Sequence, residues 1–256
     1  MHETIEQALI SPRYLASGGD PAWVTVPLHR ACGWSYGHDP LMPRVLLASP
    51  DQQALLRLDP HPDQHWWTIQ HHRTTTSPAW SASFGARTPV EIIAAFTDAL
   101  THPATTAASL PADPYVPLRQ AGWRRQDEHP GGFVSPDGIA RVEHFADGSV
   151  NSWFIDVAIS QDPEGLVWRA YFDGTTPPHL ITAFTRALAD DTPLPRDPLH
   201  VPALGGRRIR GTTHHVPAST VAFALERRVK DLGTRSASPC TPQPRTPHAS
   251  QPHRAR

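Results

Sequence analysis

Apolar positions along this chain fall into two periods that alternate. A period of two, the mark of a half-buried strand, runs through Ala54, Leu56 and Leu58, through Trp67 and Ile69, and through Trp80, Ala82 and Phe84. It gives way to a stripe at Ile92, Ile93, Phe96 and Leu100, whose spacing places one apolar face on a helix. The same succession returns downstream, with strand-like stretches at 139–145, 153–159 and 167–172 and then Leu180, Ile181, Phe184 and Leu188. Both helices carry a start signal. Thr88 is a good N-cap, Pro89 suits the first helical position and Glu91 completes a capping box, while the twin begins with Thr176 and Pro177.

Residue identity follows the pattern. VPLHRACGW at 26–34 returns as VPLRQAGW at 116–123, each a short amphipathic turn of helix ending at Gly33 or Gly122, a residue type suited to a left-handed cap, with Trp34 or Trp123 behind it. Ser49, Pro50 and Asp51 return as Ser135, Pro136 and Asp137; Trp67 and Ile69 as Trp153 and Ile155; AWSASF at 79–84 as VWRAYF at 167–172. TPVEIIAAFTDAL at 88–100 and TPPHLITAFTRAL at 176–188 agree at 8 of 13 positions, Phe96 and Phe184 among them. Such self-similarity marks a repeated supersecondary unit, here of roughly 75 residues.

The expected architecture is α+β: two tandem repeats, each an antiparallel meander of three to four strands followed by a C-terminal helix packed on one face. Residues 1–11 form an N-terminal extension, 12–101 the first repeat, 102–113 an Ala/Thr/Pro linker and 114–192 the second repeat. Within the first, 12–28 reads as two short strands around a Gly-Gly-Asp-Pro turn, and ADG at 146–148 reads as a hairpin turn in the second. Residues 193–216 read as a Pro/Arg-rich spacer, 217–232 as a helix with Val221, Leu225 and Val229 on one face, and 233–256 as a disordered basic tail.

Composition changes this picture in three places. The 29 prolines are more than twice ordinary usage of about 5%, and many fall after residue 190. The net charge of −1 hides an acidic body and a basic end: residues 1–204 carry 13 Arg against 22 acids, and residues 205–256 carry 10 cations against 2 acids. Attraction to an anionic surface or a nucleic acid would therefore reside in the tail. All cations but Lys230 are Arg, which reads as the codon bias of a GC-rich genome. Cys32 and Cys240 lie far apart in unlike contexts, so neither a disulfide framework nor a Cys-based zinc site is expected. With no signal-like start and no apolar run of membrane length, the expected location is the cytoplasm.

The PRYLASGGD start, the two PL…GW elements, the two Ser-Pro-Asp turns and the two helix-bearing ends together resemble the tandem SPDY domain, over about residues 11–196. The resemblance departs at the fourth letter of the motif, where Gln52 and Gly138 replace Tyr. It implies a streptomycete-type actinobacterial lineage and a fold grouping; no activity or catalytic residue comes with it.

Function then rests on the residues. His61 and His65 have an i, i+4 spacing that serves zinc on a helix, but Pro60 and Pro62 make that segment a turn. The adjacent pairs His71–His72 and His214–His215 point to different sides of an element, so no metal or other cofactor is expected. Ser49 and Ser135 sit beside Asp, with His144 further on, yet no nucleophile elbow accompanies them; Ser-Pro-Asp is good turn chemistry. Trp66, Trp67, Trp80, Trp153 and Trp168 lie on predicted strands, and the adjacent Trp66 and Trp67 should project from opposite faces. Either the two sheets pack on each other or join edge to edge and so bury these rings, or the rings form a binding surface with Arg124, Arg125 and Arg169. Arg207, Arg208, Arg210, Arg227, Arg228 and Lys230 could form a phosphate-binding arm, or a helix that docks on the acidic body.

The sequence favours a non-enzymatic binding or scaffold protein whose partner is another protein or a second copy of itself. Single-stranded nucleic-acid binding through sheet aromatics and the Arg-rich tail is the alternative. An enzyme of unrecognised type comes third.

Overall fold

The computed structural model describes residues 3–37, 44–60, 65–102, 106, 108–126, 131–147, 150–160, 162, 165–200 and 209–237. Strand β1 (Thr4–Ser11) leads through a 3-10 turn (Arg13–Leu15) into helix α1 (Ala22–Cys32). The first repeat continues with β2 (Ser35–Gly37), β3 (Val45–Ala48), β4 (Ala54–Leu58), β5 (Trp67–His71), β6 (Trp80–Phe84) and α2 (Val90–Thr101). The second supplies α3 (Val116–Gln120), β7 (Arg124–Arg125), β8 (Gly132–Val134), β9 (Ala140–Asp147), β10 (Val150–Ala158), β11 (Leu166–Asp173) and α4 (Pro178–Ala189). Then follow β12 (Leu194–Arg196), a 3-10 turn (Pro198–His200), β13 (Arg210–Pro217), α5 (Ala218–Ala222) and α6 (Ala224–Ala237).

Each repeat is an antiparallel meander followed by a helix, as the pattern predicts, but with five strands rather than three or four. Two short strands ahead of each Ser-Pro-Asp turn, β2 and β3 in the first repeat and β7 and β8 in the second, account for the difference. The two meanders join edge to edge in one sheet of order β2-β3-β4-β5-β6-β11-β10-β9-β8-β7. Phe84, Ser83 and Ala82 pair there with Ala170, Tyr171 and Phe172. Joining two equivalent edges leaves neither open to a foreign strand and relates the halves by an approximate twofold axis.

Helices α2 and α4 pack together on one face of this sheet. Beneath them, the strand side chains of period two are buried: Leu56, Ile69, Ala82 and Phe84 in one half, Val142, Ile155, Ala170 and Phe172 in the other. At the seam the helix rings cross over. Phe96 contacts its own sheet at Phe84 and the other half at Phe172, and Phe184 does the reverse. Among the described residues no helix covers the opposite face, where Phe145, Phe154 and Tyr171 touch edge to face at 5.6 and 5.3 Å.

Several expectations are corrected. Residues 12–28 form a 3-10 turn and most of α1 instead of two strands. Asp20 starts the helix by accepting the Ala22 amide on its side chain at 2.9 Å and the Trp23 amide on its carbonyl at 3.0 Å; Val24 and Leu28 then bury one face, and Gly33 closes it at φ 70°. The β-branched, Pro-containing run looks extended locally, but burial of that face outweighs propensity. The capping box does not form either. Helix α2 starts at Val90 after Pro89, the Val90 amide goes to the Gly18 carbonyl at 2.7 Å, and Thr88 Oγ1 is buried without a partner among the described residues. Glu91 is drawn away by Arg196, which grips it with two 2.7 Å bonds.

That arginine belongs to the supposed spacer. Residues 193–216 include β12 and β13, which flank β1 in a separate three-stranded sheet, with Thr4 to Ser11 pairing Pro217 to Arg210 in full register. The pairing was invisible because its partners lie about two hundred residues apart in sequence. The helix expected at 217–232 is present but broken at Phe223 and extended to Ala237. Leu225, Val229 and Leu232 turn inward while Val221 is exposed. Helix α6 packs on α1; the rest of the predicted disordered tail, from 238 on, lies outside the described residues.

Candidate functional site

The two Ser-Pro-Asp turns are bonded alike. The serine carbonyl accepts the amide of the fourth residue at 2.9 Å in both, making a β-turn with proline at its second position. The serine hydroxyl donates to Oδ1 of Asp51 or Asp137 at 2.6 and 2.5 Å and accepts the amide of Ala54 or Ala140 at 2.9 Å. Each serine is buried with its proton committed to the turn. Position four is left-handed, at φ 59° for Gln52 and 76° for Gly138. Ser49 donating to Asp51, the Gln53 amide and the nearby His71 hold that carboxyl below the usual range.

Each turn borders a groove, and the two grooves are built from equivalent residues. In the second repeat Pro136, Asp137, Trp123 and Leu188 surround Tyr14, delivered from the end of β1. The Tyr14 hydroxyl donates to Asp137 Oδ2 at 2.6 Å. Its carbonyl accepts Trp168 Nε1 at 2.8 Å, and its ring meets Trp123 edge-on at 6.3 Å. Burial, and then the bond to Asp137, push the Tyr14 phenol well above its ordinary range, so it remains a donor. Arg13 beside it reaches Asp190 at 2.8 Å.

In the first repeat Pro50, Asp51, Trp34 and Leu100, the counterparts in order, line a cavity of about 640 Å³, together with Trp80, the counterpart of Trp168. No residue enters as Tyr14 does: among the described residues Asp51 Oδ2 and Trp80 Nε1 make no hydrogen bond. His71, where the second repeat has Val157, stacks on Trp80 at 5.3 Å, and its Nδ1 is buried without a partner among the described residues. His179 also lines this cavity, and burial lowers its pKa.

Of the two readings of the strand aromatics, the structure supports burial and not a binding surface. Trp67, Trp80, Trp153 and Trp168 point toward the helix layer and are only 1–6% exposed, so their flat faces cannot stack on bases. Alternation put them on the buried side; Trp66 precedes β5 and is half-buried against the same core. Arg124 and Arg125 form the outermost strand of the sheet, exposed, while Arg169 is held by Asp156 in a two-pronged pair at 2.5 and 2.6 Å. The structure therefore does not bring these eight residues together. His144 stacks on Trp153 at 4.2 Å, with Ser135 engaged elsewhere. His214 and His215 lie opposite Gln7 and Glu6 on β1. Arg207, Arg208, His61 and Cys240 lie outside the described residues.

Arg228 is committed to the fold. Pro27 has no amide proton, so the Trp23 carbonyl lacks its helical partner, and Arg228 Nε donates there at 2.8 Å. Its guanidinium also covers the Trp23 ring at 5.3 Å and pairs with Asp98 at 2.8 Å. Basic helix and acidic body are thus joined in one molecule.

Sequence reasoning missed Tyr14 and the groove, and with them Phe145, Phe154 and Tyr171 on the open sheet face. One signal was available: PRYL at the head of the first repeat has no counterpart at the head of the second.

Fold and turns define an α+β protein made of two copies of one unit, each organised around a buried serine. One stretch of each copy, residues 48–106 and 134–194, matches the SPDY domain, a domain of unknown function (DUF317), and both matched segments exclude Tyr14. No curated protein and no solved structure matches the chain.

Proposed function

We propose that this tandem SPDY protein is a non-enzymatic binding protein that seats part of a protein partner in the first-repeat groove. The observation that carries this reading is an inequality of bonding between two equivalent grooves of similar volume, about 570 and 640 Å³: in one the aspartate and the indole are bonded to Tyr14, and in the other the same two groups make no hydrogen bond to an entering residue among the described residues. A concave, mostly apolar site with a few convergent polar groups is the usual form of a ligand pocket. The alternative of catalysis has little support from the buried serines, whose hydroxyl protons are spent on Asp51 and Asp137.

A photoreactive residue at Thr76, on the rim of this groove, tests the proposal in cells. A discrete protein adduct that is absent when the same probe replaces Arg141 on the open sheet, and lost on Trp34→Ala, is expected. Equal labelling at both positions, or none at Thr76, contradicts it.

Single-stranded nucleic acid remains the second reading, favoured by the ring cluster of Phe145, Phe154 and Tyr171 on the open face. Its weakness is charge, since Asp156 engages Arg169 and the strand needs cations along its phosphates. Titration of a fluorescent oligonucleotide at two salt concentrations distinguishes the readings: binding that strengthens at low salt supports the second.

A further inference from the structure

We infer that the ligand of the first-repeat groove is a tyrosine-bearing peptide segment, held as the second groove holds Tyr14. The inference rests on the binding reading above, and the molecule itself supplies the template. In the filled groove three contacts recognise the guest: a phenol hydroxyl given to a carboxylate oxygen, a main-chain carbonyl accepting an indole N–H, and a ring edge set against a second indole. All three hosts recur in the open groove as Asp51, Trp80 and Trp34.

Their polarity is also correct. Asp51 Oδ1 is occupied by Ser49 and the Gln53 amide, as Asp137 Oδ1 is by Ser135 and the Ile139 amide. Oδ2 is the oxygen that takes the phenol in the second repeat. The carboxyl of Asp51 is held ionised by its turn, so it accepts and does not donate. A phenol satisfies it; a phosphorylated tyrosine meets it with like charge.

Several charge-bearing positions differ between the two grooves, and one of them bears on the residue before the tyrosine. Asp190, which binds Arg13, is replaced by His102. The guest of the open groove therefore differs from the Pro12–Leu15 segment in the residue before its tyrosine, where arginine has lost its carboxylate. A neutral residue there suits the site better.

The test uses the full chain and the peptide Ser-Pro-Gln-Tyr-Leu-Ala, capped at both ends, followed by calorimetry and tryptophan fluorescence. Saturable binding is expected. The Phe version should bind about tenfold more weakly, the cost of a charge-assisted hydrogen bond, and the phosphotyrosine version should not bind. Asp51→Asn keeps an oxygen for Ser49 and Gln53 but loses the free acceptor, and Trp80→Phe keeps the ring but loses the N–H; each should weaken binding about tenfold while leaving the circular dichroism spectrum unchanged. Absence of binding at millimolar peptide, Phe equal to Tyr within twofold, or indifference to both substitutions would overturn the inference. If the cellular adduct at Thr76 persists in any of these cases, the groove still binds and only the chemistry assigned to its guest is wrong. Loss of that adduct removes the binding reading itself.

Discussion

Phe96 of α2 lies flat on Phe172 of β11, ring centroids 5.4 Å apart and planes 16° from parallel. One residue belongs to the first repeat and the other to the second. The mirrored pair, Phe184 on Phe84, stacks at 5.7 Å. All four rings are fully buried, so the hydrophobic centre of the molecule is the seam between its halves. Removing Phe96 as Phe96→Ala should cost roughly 3–5 kcal/mol, and Phe184→Ala about the same. Both variants should unfold in one cooperative transition on urea titration; two separated transitions would mean that the halves have independent cores.

Tyr14 locks the N-terminal segment into the second groove. Tyr14→Phe keeps the ring and should cost about 1 kcal/mol, and Asp137→Asn about the same, because both delete one charge-assisted bond at a partly wet site. The double variant should cost little more than either alone, since one interaction is lost only once. Simple additivity in chemical denaturation would show that the two residues do not act as a pair.

Arg228 fills the gap that Pro27 leaves in α1. Its pair with Asp98 is largely buried, at 13% and 16% side-chain exposure. Arg228→Ala should therefore destabilise by about 2 kcal/mol, because the Trp23 carbonyl loses its donor and the buried Asp98 keeps the longer 3.4 Å pair with Arg235 in place of the 2.8 Å one. Hydrogen exchange should show α6 losing protection first while the ten-stranded sheet retains it. Uniform loss throughout the chain would contradict local docking.

Acid should weaken the fold before any carboxylate titrates. Burial holds His179 below the ordinary value of 6.5, and burial with Arg169 does the same for His65. As pH falls below 6.5 the unfolded chain takes up these protons first, so stability falls until the lower folded-state values are reached. The urea midpoint should drop between pH 7.5 and 5.5, and His179→Gln should flatten part of that drop. A midpoint that rises on acidification would reverse the sign of the argument.

Local periodicity and repetition made much of this protein legible. The strand at 80–84, the stripe from Ile92 to Leu100 and the turn at Ser49 all have copies 86 to 88 residues on, and each copy folds alike. The capping box at Thr88 was legible and wrong, because Glu91 has a stronger partner in Arg196, 105 residues away. Trp67, Trp80, Trp153 and Trp168 were read correctly as strand residues, whereas Trp66 falls just before its strand, and which face was covered depended on where the helices settled. Tyr14 carried no signal of its role, since its hydrogen-bond partner lies 123 residues further along.

The sequence by itself determined that there are two copies of one α+β unit, where their strands, turns and closing helices fall, and that the chain carries an acidic body and a basic end. These are short-range properties, set by side-chain period and turn chemistry within a few residues. Tertiary structure alone decided that the copies share one sheet, that β1 pairs with β12 and β13, and that Tyr14 is bonded into one groove while none of the described residues enters its equivalent in that way. The physical reason is that both grooves have the same local sequence logic. What distinguishes them is the Tyr14 segment at the head of the first repeat, brought to the second by long-range pairing that no local pattern encodes.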